Sequence, residues 1–102
     1  MGRLFTALVH GPSMSPTLRH GDALLVLRTG SVRSGDVVVA RFADGPGLVV
    51  KRAVRAEGVG WWVEGDNDLV RDDSRRYGPA QVVGRVLVRW WPRLTWLRRR
   101  VG

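Results

Sequence analysis

A mainly β fold is what this 102-residue sequence predicts, on three observations: short apolar runs, Gly- and Pro-bearing turns between them, and few segments with helical spacing. Met1 to Val9 carries one charge and an apolar stretch too short and too interrupted for a signal peptide, so it reads as a first strand. Gly-Asp before an apolar run occurs twice, at Gly21-Asp22 ahead of Ala23 to Val26 and at Gly35-Asp36 ahead of Val37 to Ala40. Each reads as a turn feeding a strand, the two strands being joined by the loop from Arg28 to Ser34. Asp44-Gly45-Pro46-Gly47 is a turn between the β-branched segments Val37 to Phe42 and Leu48 to Val54, which together predict a hairpin. Trp61 to Glu64 reads as a strand ending at Gly65, Asp66 to Pro79 as a polar loop, and Val82 to Trp90 as the last long strand. Two helical turns are expected. Ser15-Pro16-Thr17-Leu18 offers a capping residue and a first-turn proline, giving a short turn to Arg19. Leu94, Leu97 and Val101 share a helical face, and Arg98, Arg99 and Arg100 would complement a helix C-terminus, so residues 92–101 predict a short amphipathic helix.

The whole chain, 1–102, reads as one domain with a formal net charge of +8 and 44% hydrophobic residues. A domain of this size buries about two-thirds of its unfolded surface, which is enough for a core and excludes disorder, a collagen-like repeat or a multidomain enzyme. The absence of cysteine removes disulfides, zinc–thiolate sites, iron–sulfur clusters and a cysteine nucleophile together, and leaves the redox compartment open. No metal-ligand spacing is present, and no cofactor is expected. Nor does any run approach the roughly 18 apolar residues of a membrane span, so the sequence as given predicts a soluble, cytoplasmic protein.

Sixteen of the seventeen basic residues are Arg, and the single Lys is Lys51. Arg stays charged in a protein, whereas a desolvated Lys can give up its proton, so the one position where Arg is not used is a candidate for proton transfer. Its setting, Leu48-Val49-Val50-Lys51-Arg52-Ala53-Val54, is an apolar strand. A candidate nucleophile lies in Gly11-Pro12-Ser13-Met14-Ser15-Pro16-Thr17-Leu18, where Ser13 follows a strand at a corner that can expose a hydroxyl beside backbone N–H groups. An ordinary capped Ser/Pro turn would have the same local composition. For a base the chain offers His10 and His20, without an assigned carboxylate to orient either, or a neutral Lys51, which could take the proton of Ser13 and pass it to a leaving amine.

Ser13-Met14-Ser15-Pro16-Thr17-Leu18 with Gly21-Asp22 resembles the nucleophile motif of type I signal peptidases. Lys51-Arg52-Ala53-Val54 resembles their lysine motif, and Gly65-Asp66-Asn67 with Asp73-Ser74-Arg75 and Gly78 resembles their C-terminal box. The three occur in order between Val9 and Val86. The resemblance implies a mainly β fold of coiled sheets, shared with self-cleaving repressors, and a serine endopeptidase with Ser13 as nucleophile and Lys51 as general base. It implies an oxyanion hole built on the backbone N–H of Ser13, because Gly11 stands where some family members carry a helpful hydroxyl. Asp73 and Arg75 become a structural ion pair, Asp66 and Asn67 shape the adjoining loop, and Met14 and Pro16 support or contact the substrate. A family hydroxyl near the lysine aligns with Arg71, which leaves Ser74 or water to support Lys51.

The membrane anchor and large insertion of bacterial signal peptidases have no counterpart in the sequence. That pattern resembles the small soluble relatives assigned to leader removal during maturation of nickel superoxide dismutase, and this is the expected role. The expected partner is a precursor polypeptide bound in extended form, with small residues near the cleavage point. Arg89 to Arg100 holds five Arg and three Trp without an acid, which fits contact with an anionic membrane surface and a membrane-peripheral signal peptidase. The competing readings are a self-cleaving repressor-type protease, whose usual Ala-Gly or Cys-Gly site is missing, and a basic nucleic-acid-binding module favoured by the net charge.

Overall fold

The structure, a computed structural model, describes residues 3–100. Seven strands and one short helix follow in the order β1 (Leu4–Leu8), β2 (Ala23–Arg28), β3 (Val37–Phe42), β4 (Leu48–Glu57), β5 (Gly60–Glu64), α1 (Ser74–Tyr77), β6 (Ala80–Trp91) and β7 (Thr95–Trp96). The fold is mainly β, and every strand pairing is antiparallel. The sheet runs β1-β2-β6-β3-β4-β5, with β7 on β6 and β5 returning to β6 where Trp61 opposes Ala80. Strands β3, β4, β5 and β6 therefore form a closed ring of pairings. β2 and β3, consecutive in the chain, lie on opposite sides of β6.

Burial follows from this closure. Along β3, Val37 and Val39 enter one apolar cluster with Val9, Met14, Leu18, Leu24, Val26 and Val86. The alternate residues Val38, Ala40 and Phe42 enter a second, with Ala53, Val63 and Ala80. A strand buried on both faces reads as the unbroken apolar run that Val37 to Ala40 presents.

The repeated Gly-Asp pair is one turn used twice. Asp22 accepts a hydrogen bond from the backbone N–H of Arg19 and Asp36 from that of Arg33, each at 2.9 Å. The preceding Gly21 and Gly35 take φ of 92° and 97°, a region that disfavours any side chain. Val9 N–H donates to Asp22 O (2.9 Å) and Gly21 N–H to Val9 O (2.8 Å), so residues 10–20 leave the β1–β2 hairpin as a loop pinned at its neck.

Of the two helical segments expected, the first is a single turn and the second is a strand. Residues 13–17 form a turn, with Ser15 N–H donating to Pro12 O and Leu18 N–H to Met14 O, both at 3.0 Å, and no helical ladder follows. Residues 92–100 contain β7 instead of an amphipathic helix: Thr95 pairs with Arg89 and Trp96 with Val88. The arginines expected to cap that helix find carboxylates, Arg99 on Asp36 at 3.0 Å and Arg100 on Asp66 at 3.1 Å. A hairpin pairing with β6 and ion pairs distant in sequence outweigh the helical spacing, and Val101 lies outside the described residues. Conversely, the loop from Asp66 to Pro79 holds α1, capped by the Asp73 carboxylate on Arg75 N–H and closed by Gly78.

Candidate active site

The loop between β1 and β2 presents Ser13 because its neighbours are anchored. Met14 (0% exposed) and Leu18 (1%) are embedded in the first apolar cluster, so Ser13 sits at the point where the turn leaves the core. Met14 is thus an internal anchor and does not line the cleft beside Ser13, while Pro16 is exposed, follows a cis peptide bond and lies outside that cleft as well. The turn is held from the far end of the chain by the segment after β5. Asn67 donates its N–H to Ser13 O at 2.9 Å and its Nδ2 to Pro12 O at 3.0 Å. Gly65 packs flat on Ser13: a Cβ there would lie 2.5 Å from Ser13 O and 3.3 Å from Ser13 Cβ. Among the described residues, the N–H of Ser13 has no acceptor, so it remains free to donate to a bound carbonyl.

Lys51 stands opposite Val38 on β4 and is 4% exposed. Among the described residues, no carboxylate comes within ion-pairing distance of it. Burial pushes its pKa below the usual lysine value against the opposing charges of Asp73 and of Asp72, which lines the same cleft, and Arg75 adds a smaller downward push. Ser13 and Lys51 line the same cleft, about 280 Å³ in volume, together with Leu8, Val9 and His10 from the end of β1 and Leu48 to Val50 from β4. Both flanking segments have a free backbone edge. Among the described residues, β1 pairs only with β2, and β4 pairs with β5 only from Arg52 onward.

Around this pair the remaining expected residues form two carboxylate nodes. Asp73, fully buried, accepts from Gly65 N–H (2.8 Å), Arg75 N–H (3.1 Å), Arg75 Nε (3.0 Å) and Arg75 Nη2 (2.6 Å). Burial alone would raise its pKa, but these donors and the Arg75 charge hold it below the usual carboxylate range, and the same pairing raises that of Arg75. Ser74 Oγ accepts from Val63 N–H at 2.8 Å, so it ties α1 to β5 and makes no hydrogen bond to Lys51. Arg71 is exposed and does not enter the cleft.

The second node was not legible in the sequence. Asp66 accepts from Thr17 Oγ1 (2.6 Å), Arg52 Nη2 (2.6 Å) and Arg52 Nε (3.2 Å), and is joined by Arg100 Nη2 at 3.1 Å. Those hydrogen bonds and charges overcome the effect of burial and keep Asp66 ionised to below the usual range. One carboxylate thereby connects the turn that bears Ser13, the residue after Lys51 and the C-terminal segment. The only available signal was an Arg inside an apolar strand, which requires a buried acceptor. His20 has a positioning role, its Nδ1 accepting Gly11 N–H at 2.9 Å, and His10 stacks edge-on against it at 5.8 Å. A larger groove of about 660 Å³, lined by Phe42, Val59 and Pro79, contains neither Ser13 nor Lys51. No group of three or more metal-binding side chains occurs among the described residues.

A family model described as Peptidase S24-like matches residues 2–87. Mitochondrial inner membrane protease subunit 1 of Xenopus tropicalis is 34% identical over 80% of this chain and 66% of its own length. Mitochondrial ATP-independent inner membrane protease subunit 1a of Arabidopsis thaliana is 36% identical over 85% of this chain and 70% of its own. The human subunit 1 is 29% identical over 80% of this chain. The chain thus spans about two-thirds of the length of these relatives, and no helix among its described residues is long and apolar enough to cross a membrane.

Proposed function

Because the chain belongs to the Peptidase S24-like family, we propose that it is a serine endopeptidase in which Ser13 is the nucleophile and Lys51 the general base. The observation that carries this reading is a shared cleft holding a serine hydroxyl and a buried amine without an ion-pairing carboxylate. A peptide bound in extended form adds to the free edges of β1 and β4, which flank the cleft, and places its scissile carbonyl at Ser13. Neutral Lys51 takes the hydroxyl proton as Ser13 Oγ forms a bond to the carbonyl carbon. The Ser13 N–H donates to the oxyanion, and the protonated amine then delivers its proton to the departing amine nitrogen. Water hydrolyses the acyl-enzyme by the same route, and Lys51 returns to the neutral form.

The substrate is a precursor carrying an N-terminal leader. That it is nickel superoxide dismutase rests on the motif resemblance alone; the named relatives are inner membrane proteases and add nothing to it. A membrane-peripheral role has its own observation. Leu4, Leu8, Trp91 and Trp96 are all more than half exposed on β1, β6 and β7, and these strands with β2 carry no Asp or Glu. An apolar, acid-free surface bearing Arg at its margins suits anionic lipid.

Wild type, Ser13→Ala and Lys51→Ala are incubated with a leader-bearing nickel superoxide dismutase precursor and with signal-peptide precursors, with and without anionic vesicles, and the products are read by mass spectrometry. Cleavage at one bond by wild type alone supports the dyad, and the precursor cleaved identifies the substrate class. If both folded variants cleave as wild type does, the assignment of Ser13 and Lys51 is wrong.

A further inference from the structure

The C-terminal segment reaches a place that the peptidase reading leaves without a purpose. Residues 97–100 run from Leu97, whose N–H donates to Leu87 O at 2.9 Å, back to the turn before β3. There Arg100 N–H donates to Gly35 O at 3.1 Å, and Arg99 Nε meets Asp36 at 3.0 Å. The fit is tight, because a Cβ on Gly35 would collide with Arg100 O. Gly35 O also accepts from Arg52 Nη1 at 2.9 Å. The backbone of Arg100 and its side chain therefore touch two of the three acceptor atoms that Arg52 uses, Gly35 O and Asp66 Oδ2.

We infer that this segment is a clip whose docking positions the nucleophile turn, with Arg100 as a positioning residue acting through Asp66. This rests on the peptidase reading for its consequence in catalysis, though not for its structural content. The carboxylate of Asp66 is 1% exposed and the Arg52 side chain 9%, whereas that of Arg100 is 57% exposed. Arg100 is thus the outermost charge of the node, placed between water and the buried pair. Excluding water strengthens every bond that Asp66 makes, including the one from Thr17 at the end of the Ser13 turn. Asp66 lies between Gly65, which abuts Ser13, and Asn67, which donates to Ser13 O. Displacement of the carboxylate therefore shifts both backbone contacts on the nucleophile.

Leu97 anchors the clip through its N–H and by packing on the first apolar cluster, and beyond it the clip is held by one backbone hydrogen bond and two ion pairs whose arginines are substantially exposed. Salt screens such pairs, so the clip opens as ionic strength rises while the rest of the domain stays folded.

The test compares wild type, Arg100→Ala, Arg100→Lys, a chain ending at Leu97, and Arg98→Ala, which alters a residue outside the node. Amide exchange at Asn67 reports the tether to Ser13 without requiring a substrate. Exchange at Asn67 is expected to accelerate about two- to fivefold in Arg100→Ala, the factor a partly exposed ion pair supplies, and further on truncation. Arg100→Lys recovers part of the protection and Arg98→Ala leaves it intact. With a cleavable precursor, kcat falls by a similar factor while KM holds, and the wild type but not the truncated chain loses rate with added salt. Unchanged Asn67 exchange in both Arg100→Ala and the truncated chain overturns the clip. Accelerated exchange in chains that cleave no precursor upholds the clip and overturns the peptidase reading instead.

Discussion

Replacing Gly65 by alanine tests whether the segment after β5 positions Ser13. The new Cβ would sit 2.5 Å from Ser13 O, and side chains tolerate such contacts only from 3.0 to 3.4 Å, so the backbones must separate by about 0.5 to 0.9 Å. Asn67 is pulled along, since its N–H holds the same oxygen. A displacement approaching 1 Å at a reacting group costs about 100-fold in rate, and overpacking costs about 1 to 3 kcal/mol in stability. Gly60 provides the matched control. Its Cβ would lie at the same 2.5 Å from Ala80 O, beside the larger groove and away from the Ser13 cleft. Gly65→Ala and Gly60→Ala are therefore expected to lose comparable stability in urea, while only Gly65→Ala loses kcat. Equal kcat in the two folded variants would refute the reasoning, because the strain would then have no direction toward the nucleophile.

Two further outcomes follow from the buried charges. As the proposed general base Lys51 acts in its neutral form, so kcat/KM should rise with pH through its lowered pKa, and the single ε-13C lysine resonance of labelled protein should titrate over the same range. Because the unfolded chain keeps that proton up to about pH 10.4, stability should rise with pH between the folded value and the unfolded one, and Lys51→Met should remove this slope in pH-dependent urea melts. Asp73→Asn loses the bidentate partner of Arg75 and should cost about 2 to 3 kcal/mol, less than a wholly buried pair because Arg75 can reach water. The wild-type contribution of Asp73 is present above its unfolded pKa of about 3.9 and is lost as pH falls through the lower folded one, so acid melts of wild type and Asp73→Asn should converge.

The β3–β4 hairpin was legible because its turn, Asp44 to Gly47, and the runs on either side are local signals; β3 spans Val37–Phe42 as expected and β4 extends past Val54 to Glu57. Lys51 stood out by composition, and the Asp73–Arg75 pair through the motif resemblance. Helix α1 escaped because four residues show no period, although Asp73 and Gly78 carry its capping signals. The segment after Pro92 misled for a different reason: Leu94 and Leu97 fit a helical face, but pairing with β6 and the carboxylates of Asp36 and Asp66 decide its path. β6 is a near neighbour in the chain, but those carboxylates lie more than thirty residues away, as does Thr17 from Asp66, and no local pattern encodes them.

The insertion of β6 between β2 and β3 also sets an order of assembly. The pair β1–β2 carries the serine turn and the pair β3–β4 carries Lys51; among the described residues their strands are joined in one sheet only through β6, although both enter the first apolar cluster. During synthesis both functional residues emerge long before residues 80–91 do. Until residues 80–91 have been made, Ser13 and Lys51 therefore lie on separate hairpins not yet joined in one sheet. The last long strand to be made thus completes the sheet that brings Ser13 and Lys51 to one cleft.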